Sequence, residues 1–434
     1  MSNKRSRPTT LMSARLAGLV GASAMLAAGC DKKPDSGAAG KPAPSGSAMS
    51  SAAGAGKTTT PGVTATEIKI GQSMPYSGGA SAYGVIGKGA SRYFKMINDK
   101  GGINGRKINL ISLDDGYSAP KAMENVRKLV EGDGVALIFN NLGTATNTAV
   151  RQYLNDNKVP QLFIATGADK WADPAHYPWT MGFQPSYRME AKVYARYLMQ
   201  DKPAAKLCVL YQNDDFGKDY LVGLHEGFGD KYDKTVIKTT SYEPTDPTVD
   251  SQIMTLQASG CDTLLTAAGP KYAIQAIRRI YDIAWKPLHL LTGTSISRSA
   301  VLAPAGLDKS TGIITAAYLK DITDPVLAND PGLSEYRAFA KQYMPDLDQN
   351  DGNLVYAFGV SVALAKVLTQ CGEDLSRENI MKQATNLTQL QLPVVLDGIK
   401  LTTTATDYRP YSELRLARFN GNNFESIGIT ISAD

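Results

Sequence analysis

From residue 67 onward, short continuous apolar runs alternate with stretches in which apolar positions recur at helical spacing. The first pattern fits buried strands and the second fits amphipathic helices. It predicts strands at 68–71, 107–113, 135–139 and 161–165, separated by helices at 83–98, 119–130 and 144–155. In the second of these helices Ala122, Val126, Leu129 and Val130 share one face. Turn chemistry punctuates the units, with Pro75-Tyr76-Ser77-Gly78-Gly79 after the first strand and Lys100-Gly101-Gly102 after the first helix. A second cycle starts near Pro185, with helices at 189–199, 218–228, 248–259 and 272–283 and strands at 206–211, 235–240, 262–267 and 288–291. A helix at 354–368 adds to one of the two units, and strands at 414–419 and 427–431 close the chain. Apolar strands alternating with helices imply parallel sheets covered on both faces, hence an α/β fold of two doubly wound lobes.

The N-terminal pattern is different. Lys4, Arg5, Arg7 and Arg15 precede an apolar run at 16–28, which stops at Gly29-Cys30-Asp31. That run is too short to span a bilayer, which takes about 20 apolar residues, and it reads as a secretory leader. Leu26-Ala27-Ala28-Gly29-Cys30 resembles a lipoprotein cleavage region in which Cys30 is lipidated, although Ala27 stands where a larger aliphatic residue is usual. An ordinary signal peptide ending near a cysteine is the other reading. Residues 32–62 hold almost no large apolar side chain and read as a flexible Gly/Ser/Ala/Pro tether. Asp31 resembles an inner-membrane retention signal of enteric lipoproteins, so the expectation is a body tethered in the periplasm, at the inner membrane. No apolar stretch beyond the leader is expected to reach membrane-spanning length.

Charge sharpens the picture. The formal charge of +5 is a property of the leader and tether, where eight Lys/Arg face two Asp/Glu within residues 1–60; 38 and 39 remain beyond. A nearly neutral body without basic runs argues against a nucleic-acid partner. About 370 residues from Glu67 suggest two domains. His176, His225 and His289 lie far apart, and there is no CxxC pair, so no metal or other cofactor is expected. Of Cys208, Cys261 and Cys371, the first two both open strand-like runs in one region and are the preferred disulfide; three buried thiols remain the alternative.

In parallel α/β sheets, ligands sit beyond the carboxyl ends of the strands. The segments leaving these strands include Asn140-Asn141-Leu142-Gly143-Thr144, Thr166-Gly167-Ala168-Asp169, Gln212-Asn213-Asp214-Asp215-Phe216, Ala268-Gly269-Pro270 and Thr292-Gly293-Thr294-Ser295. Exposed N–H groups at a helix start beside a threonine hydroxyl can hold a carboxylate, which makes Gly143-Thr144 the leading candidate; Thr144 could equally be a helix cap.

Taken together, IKIGQSMPYSGGASAYG, MINDKGGINGRKINLISLDD, VRKLVEGDGVALIFNNLGTATN, VPQLFIATGAD and VLYQNDDFGKDY resemble, in order and spacing, the leucine/isoleucine/valine-type solute-binding proteins of ABC importers. The resemblance implies the type 1 periplasmic binding fold: two Rossmann-like lobes joined by three crossovers, closing as a hinge on a small-molecule ligand. It implies a signal peptide at 1–29, a lipid-anchored linker at 30–63, lobe 1 at 64–184 and 316–412, and lobe 2 at 185–315 and 413–434. It places ligand contacts in lobe 1 at Tyr83, Gly143, Thr144, Gly167, Ala168 and Asp169. In lobe 2 it places them at Phe216, Gly269 and Pro270, with Thr294 in the loop that follows the strand ending near Leu291. The implied partners are an inner-membrane ABC permease and the membrane itself, with the protein a monomer.

Amino-acid binders of this type carry an acid after the strand ending near Leu291 to pair the ligand's ammonium. Here the segment is Thr292-Gly293-Thr294-Ser295-Ile296-Ser297, without a carboxylate. An unpaired buried ammonium costs several kcal/mol. The ligand expected is therefore a small carboxylate, aromatic or otherwise organic, unless Asp169 serves an ammonium; branched-chain or other amino acids are the alternative. An enzyme lacks support, since GxSxG, P-loop and GxGxxG motifs are absent, and Asp114-Asp115 and Asp214-Asp215 read as loop charges. A ligand-sensing partner of a membrane receptor is the remaining rival.

Overall fold

The computed structural model describes residues 60–432. The leader, Cys30 and nearly all of the tether expected at 30–63 lie outside the described residues. The first lobe grows from a sheet whose inner strands are buried on both faces. β1 (Glu67–Met74), β2 (Lys107–Asp114), β3 (Leu137–Phe139), β4 (Gln161–Ile164) and β5 (Thr180–Gly182) pair in the order β2-β1-β3-β4-β5, all parallel. α1 (Val85–Asp99), α2 (Ala119–Arg127) and α3 (Thr144–Asp156) connect consecutive strands. The two-residue period of a strand sends Leu137 and Phe139 into a core with Ile68, Phe94 and Phe358, and Ile138 into a second core with Val126, Leu129 and Leu154. Both faces are apolar, which is why β3 shows no polar alternation in sequence.

The second lobe repeats the arrangement. Its elements are α4 (Tyr187–Asp201), β6 (Leu207–Gln212), α5 (Asp215–Phe228), β7 (Val236–Tyr242), α6 (Asp250–Ala258), β8 (Thr263–Ala267), α7 (Pro270–Asp282), β9 (Leu288–Leu291) and β10 (Ile314–Ala317). The chain then returns to the first lobe as α8 (Pro331–Tyr343), α9 (Gly352–Gln370) and α10 (Arg377–Ala384), and ends in lobe 2 as β11 (Glu413–Phe419) and β12 (Phe424–Ser432). The second sheet runs β12-β11-β10-β9-β8-β6-β7; β6 to β10 are parallel, and the last two strands extend it antiparallel. Three chain crossings therefore join the lobes, after β5, after β10 and before β11.

The sequence pattern missed β5, β10, α8 and α10. The three residues of β5 are too few to show a period. The start of α8 is locally well marked, with Pro331 in its first turn and the Asp330 side chain accepting from Leu333 N–H. One expectation is overturned: α9 is long and apolar enough, by length and composition, to cross a membrane. Most of it is nevertheless buried inside the folded body, with Leu354, Phe358, Leu364 and Leu368 in the lobe 1 core.

Cys208 on β6 and Cys261 before β8 are disulfide-bonded, their Cα atoms 5.9 Å apart and 53 residues apart in sequence; Cys371 is a buried free thiol. The parallel pairing of β6 with β8, which aligns Cys208 with Leu264, is what brings the two cysteines together. Closing a loop of this length restricts the unfolded chain, and chain-entropy arguments put its value at about 4 kcal/mol. Thiol titration of the denatured body, residues 64–434, is expected to find one thiol before reduction and three after. The Cys208→Ala/Cys261→Ala variant should lose stability of that order in urea unfolding.

Candidate functional site

The loops beyond β1 to β4 in lobe 1 and β6 to β9 in lobe 2 face one another across a cavity of about 430 Å³. The lobe 1 wall is built on the start of α3. Gly143 is its N-cap with φ +101°, a conformation that favours glycine, and no side chain caps the helix. A Cβ at Gly143 would lie 2.6 Å from the Tyr117 ring and 2.7 Å from Thr146 Oγ1. Thr144 is the first helical residue rather than the cap. Its hydroxyl instead hydrogen-bonds that of Thr166, 2.5 Å away, and Thr166 lies 3.3 Å from the Tyr187 hydroxyl. Unbonded N–H groups at a helix start carry the positive end of the helix dipole. The arrangement therefore offers amide and hydroxyl donors to an anion.

Aromatic rings contribute to both walls, among them Tyr83, Tyr117, Tyr187, Phe216, Tyr318 and Tyr356. Tyr187 packs on Phe216 at 4.8 Å and stacks on Tyr220 at 5.4 Å between ring centres. Hydrogen bonds cross directly between the lobes. The Tyr83 hydroxyl donates to the Thr294 carbonyl at 3.1 Å, and Ser297 Oγ donates to Asp351 Oδ1 at 2.8 Å. Gln212 Nε2 donates to the Tyr117 hydroxyl at 3.4 Å, and Lys170 pairs with Asp215 at 2.6 Å. The lobes are in a closed arrangement.

Of the residues singled out in sequence, Tyr83, Gly143, Thr144, Phe216, Gly269, Pro270 and Thr294 line this cavity. Gly167, Ala168 and Asp169 do not. The Gly167 carbonyl accepts from Tyr187 N–H, Ala168 is buried beside Trp171, and Asp169 faces a second, strongly charged cleft with Arg188 and Lys192. There Asp169 accepts from Ser186 Oγ at 2.8 Å, while its own N–H donates to Asp219. The strand end turns at Thr166, so the segment beyond it leaves the cavity. The acidic pairs are also not plain solvated loop charges. Asp115 is buried and takes the Ser73 hydroxyl and Tyr117 N–H, and Asp214 caps α5 through Phe216 and Gly217 N–H.

Sequence reasoning placed Thr166 and Gln212 only within candidate loop segments, and it missed Tyr117, Tyr187 and, above all, Glu190. This α4 side chain is 5 % exposed, lines the cavity, and accepts from Gly293 N–H at 2.8 Å, Tyr194 at 2.8 Å and Tyr220 at 2.7 Å. The absence of a carboxylate from the loop after β9 is thus a statement about sequence only, because α4 supplies one to the same loop. Burial pushes the Glu190 carboxyl up to about 7, against the lowering effect of its three donors. The one signal in sequence was an acid on an otherwise apolar helix face, four residues before Tyr194.

The periplasmic binding protein family matches this chain over residues 67–423. The chain is 26 % identical over 275 residues to Leu/Ile/Val-binding protein homolog 3 of Brucella melitensis, covering 61 % of this chain and 70 % of that one. In fold it is similar to the branched chain amino acid ABC transporter protein of Thermus thermophilus solved with bound valine, with a TM-score of 0.75 at 14 % identity over 85 % of this chain and 97 % of that one. It is also similar to the fatty acid ABC transporter substrate-binding protein of Thermomonospora curvata, with a TM-score of 0.70 at 20 % identity over 86 % and 94 %.

Because the folded protein holds the Glu190 proton to higher pH than the unfolded chain does, this residue lowers stability as pH rises from about 4.5 to about 7. Gln at this position mimics the protonated acid. In urea unfolding, Glu190→Gln is expected to match the wild type near pH 4.5 and to exceed it at pH 8 by up to about 3 kcal/mol.

Proposed function

Because the chain belongs to the periplasmic binding protein family, we propose that it captures a small carboxylate for an ABC import system. The observation that carries this reading is the uncapped start of α3, opening beside the Thr144–Thr166 hydroxyl pair on the cavity. A carboxylate there would accept from amides that no protein side chain caps, beside that hydroxyl pair. The tyrosine and phenylalanine walls suit an aromatic or other apolar body, and a few convergent polar groups orient it. Contacts from both lobes to a ligand add to the direct bonds that favour the closed form, so that form is the one a permease would meet. In this reading the body is a monomer, carried on the tether from a lipidated Cys30 at the inner membrane and working outside the cytoplasm.

A second reading is favoured by Glu190. A buried carboxylate at Gly293 removes the reason for excluding an ammonium group, so α-amino acids fit the cavity's charge layout as well. A ligand-sensing partner of a membrane receptor would use the same cavity, and genomic neighbourhood with permease genes distinguishes it from import.

A thermal-shift screen of residues 64–434 against benzoate, phenylacetate, leucine, valine and phenylalanine tests both readings, since a ligand of the native state raises Tm by mass action. Stabilisation by acids without an amine supports the first reading, and stabilisation by amino acids alone supports the second. Failure of every carboxylate to stabilise the protein would overturn both. For a carboxylate that binds, Thr144→Val should weaken affinity about tenfold by isothermal titration, the value of one lost hydrogen bond.

A further inference from the structure

Glu190 is the one buried acid in the cavity wall among the described residues, and no lysine or arginine pairs with it there. Its donors are neutral. The titratable groups that face it are phenols: Tyr194 on its own helix, Tyr220 on α5 and Tyr318 beyond β10. Burial raises all three well above the ordinary tyrosine value, so they stay protonated. The loop after β9 contributes only the Gly293 N–H and hydroxyls.

Those hydroxyls form a path. Glu190 Oε2 meets the Tyr220 hydroxyl, which meets Thr292 Oγ1, which lies 3.2 Å from Thr294 Oγ1 on the cavity surface. With Glu190 ionised, each hydroxyl donates inward: Thr294 to Thr292, Thr292 to Tyr220, Tyr220 to the carboxylate. With Glu190 protonated, every bond reverses and the Thr294 hydroxyl proton points into the cavity. The oxygens need not move between the two states, and one proton enters or leaves at the cavity end.

We propose that Glu190 is a specificity-determining residue that exchanges its proton with the cavity along Tyr220, Thr292 and Thr294, matching the lobe 2 wall to the ligand's charge. The inference rests on the solute-capture reading above. A ligand bearing only a carboxylate would face a like charge in a closed, water-poor space, so its capture takes up a proton onto Glu190. A ligand bearing an ammonium is attracted by the ionised form, so its capture releases the proton to solvent. In both cases the wall ends with the charge that suits the ligand.

Benzoate and L-phenylalanine, an aromatic acid without and with an amine, are the probes. Isothermal titration at pH 7 in phosphate and in Tris reads protons exchanged from the difference in buffer ionisation heat. Bound benzoate is expected to take up a fraction of a proton and bound phenylalanine to release a fraction of one, with both effects lost in Glu190→Gln. Binding with no buffer dependence, or buffer dependence that survives Glu190→Gln, overturns the inference while leaving solute capture intact. The ligand-free protein supplies a second readout, independent of any probe. Infrared spectra between pH 5 and pH 9 should show a protonated carboxyl band lost around neutrality, absent from Glu190→Gln and shifted to higher pH in Tyr220→Phe, which removes a donor to the carboxylate. A wild-type spectrum identical to that of Glu190→Gln overturns the inference even if neither probe binds.

Discussion

Parallel pairing governs everything else in this molecule. A parallel strand is linked to the next by a helix that packs on the sheet, so both faces are covered and the strands become apolar throughout. Leu137, Ile138 and Phe139 show the consequence, feeding two cores from three successive residues. Polar side chains on such faces are few, Gln72, Gln161 and Thr266 among them, and much of the polar chemistry sits at the strand ends, where backbone N–H groups at helix starts remain unpaired. Two sheets joined by three crossings turn those ends toward each other, and the cavity is the space between them.

That arrangement also explains how the lobes hold together. Each lobe has a core of its own, but Ile164, Ala168 and Trp171 of lobe 1 also pack into the lobe 2 core; the polar bonds that cross between the lobes include Tyr83 to Thr294, Gln212 to Tyr117, Ser297 to Asp351, Lys170 to Asp215 and Asp169 to Asp219. A single hydrogen bond contributes about 1 kcal/mol net, and a partly exposed ion pair less. Such a set biases closure without locking it.

The fold was legible because it is written in repeated local signals. Apolar runs and helical periods recur often enough that losing β5 or α8 leaves the two-lobe alternation intact. The cavity's backbone contributions were legible for the same reason: Gly143, Thr144, Gly269 and Pro270 sit where a strand hands over to a helix, a position sequence marks with small residues. What sequence did not mark is where a segment turns away. Thr166 and Asp169 are three residues apart, yet the first lines the cavity and the second lies in a different, charged cleft. Tyr117 and Tyr187 reach the cavity from segments whose local pattern says only turn and helix.

Glu190 marks the limit of motif reasoning most clearly. A loop motif assumes that the charge needed at a position is supplied by the loop itself. Here the loop after β9 supplies an N–H at Gly293 and hydroxyls at Thr292 and Thr294, while the carboxylate arrives from a helix 103 residues earlier. What the cavity experiences is the charge at a point in space, and that charge depends on protonation as much as on residue type. Three neutral donors hold this acid without fully offsetting its burial, so its charge is not settled by the protein alone. A buried group in that condition takes its charge from what is placed next to it. The lobe 2 wall is thus better described by how readily it gains or loses a proton than by the presence or absence of an acid in the motif.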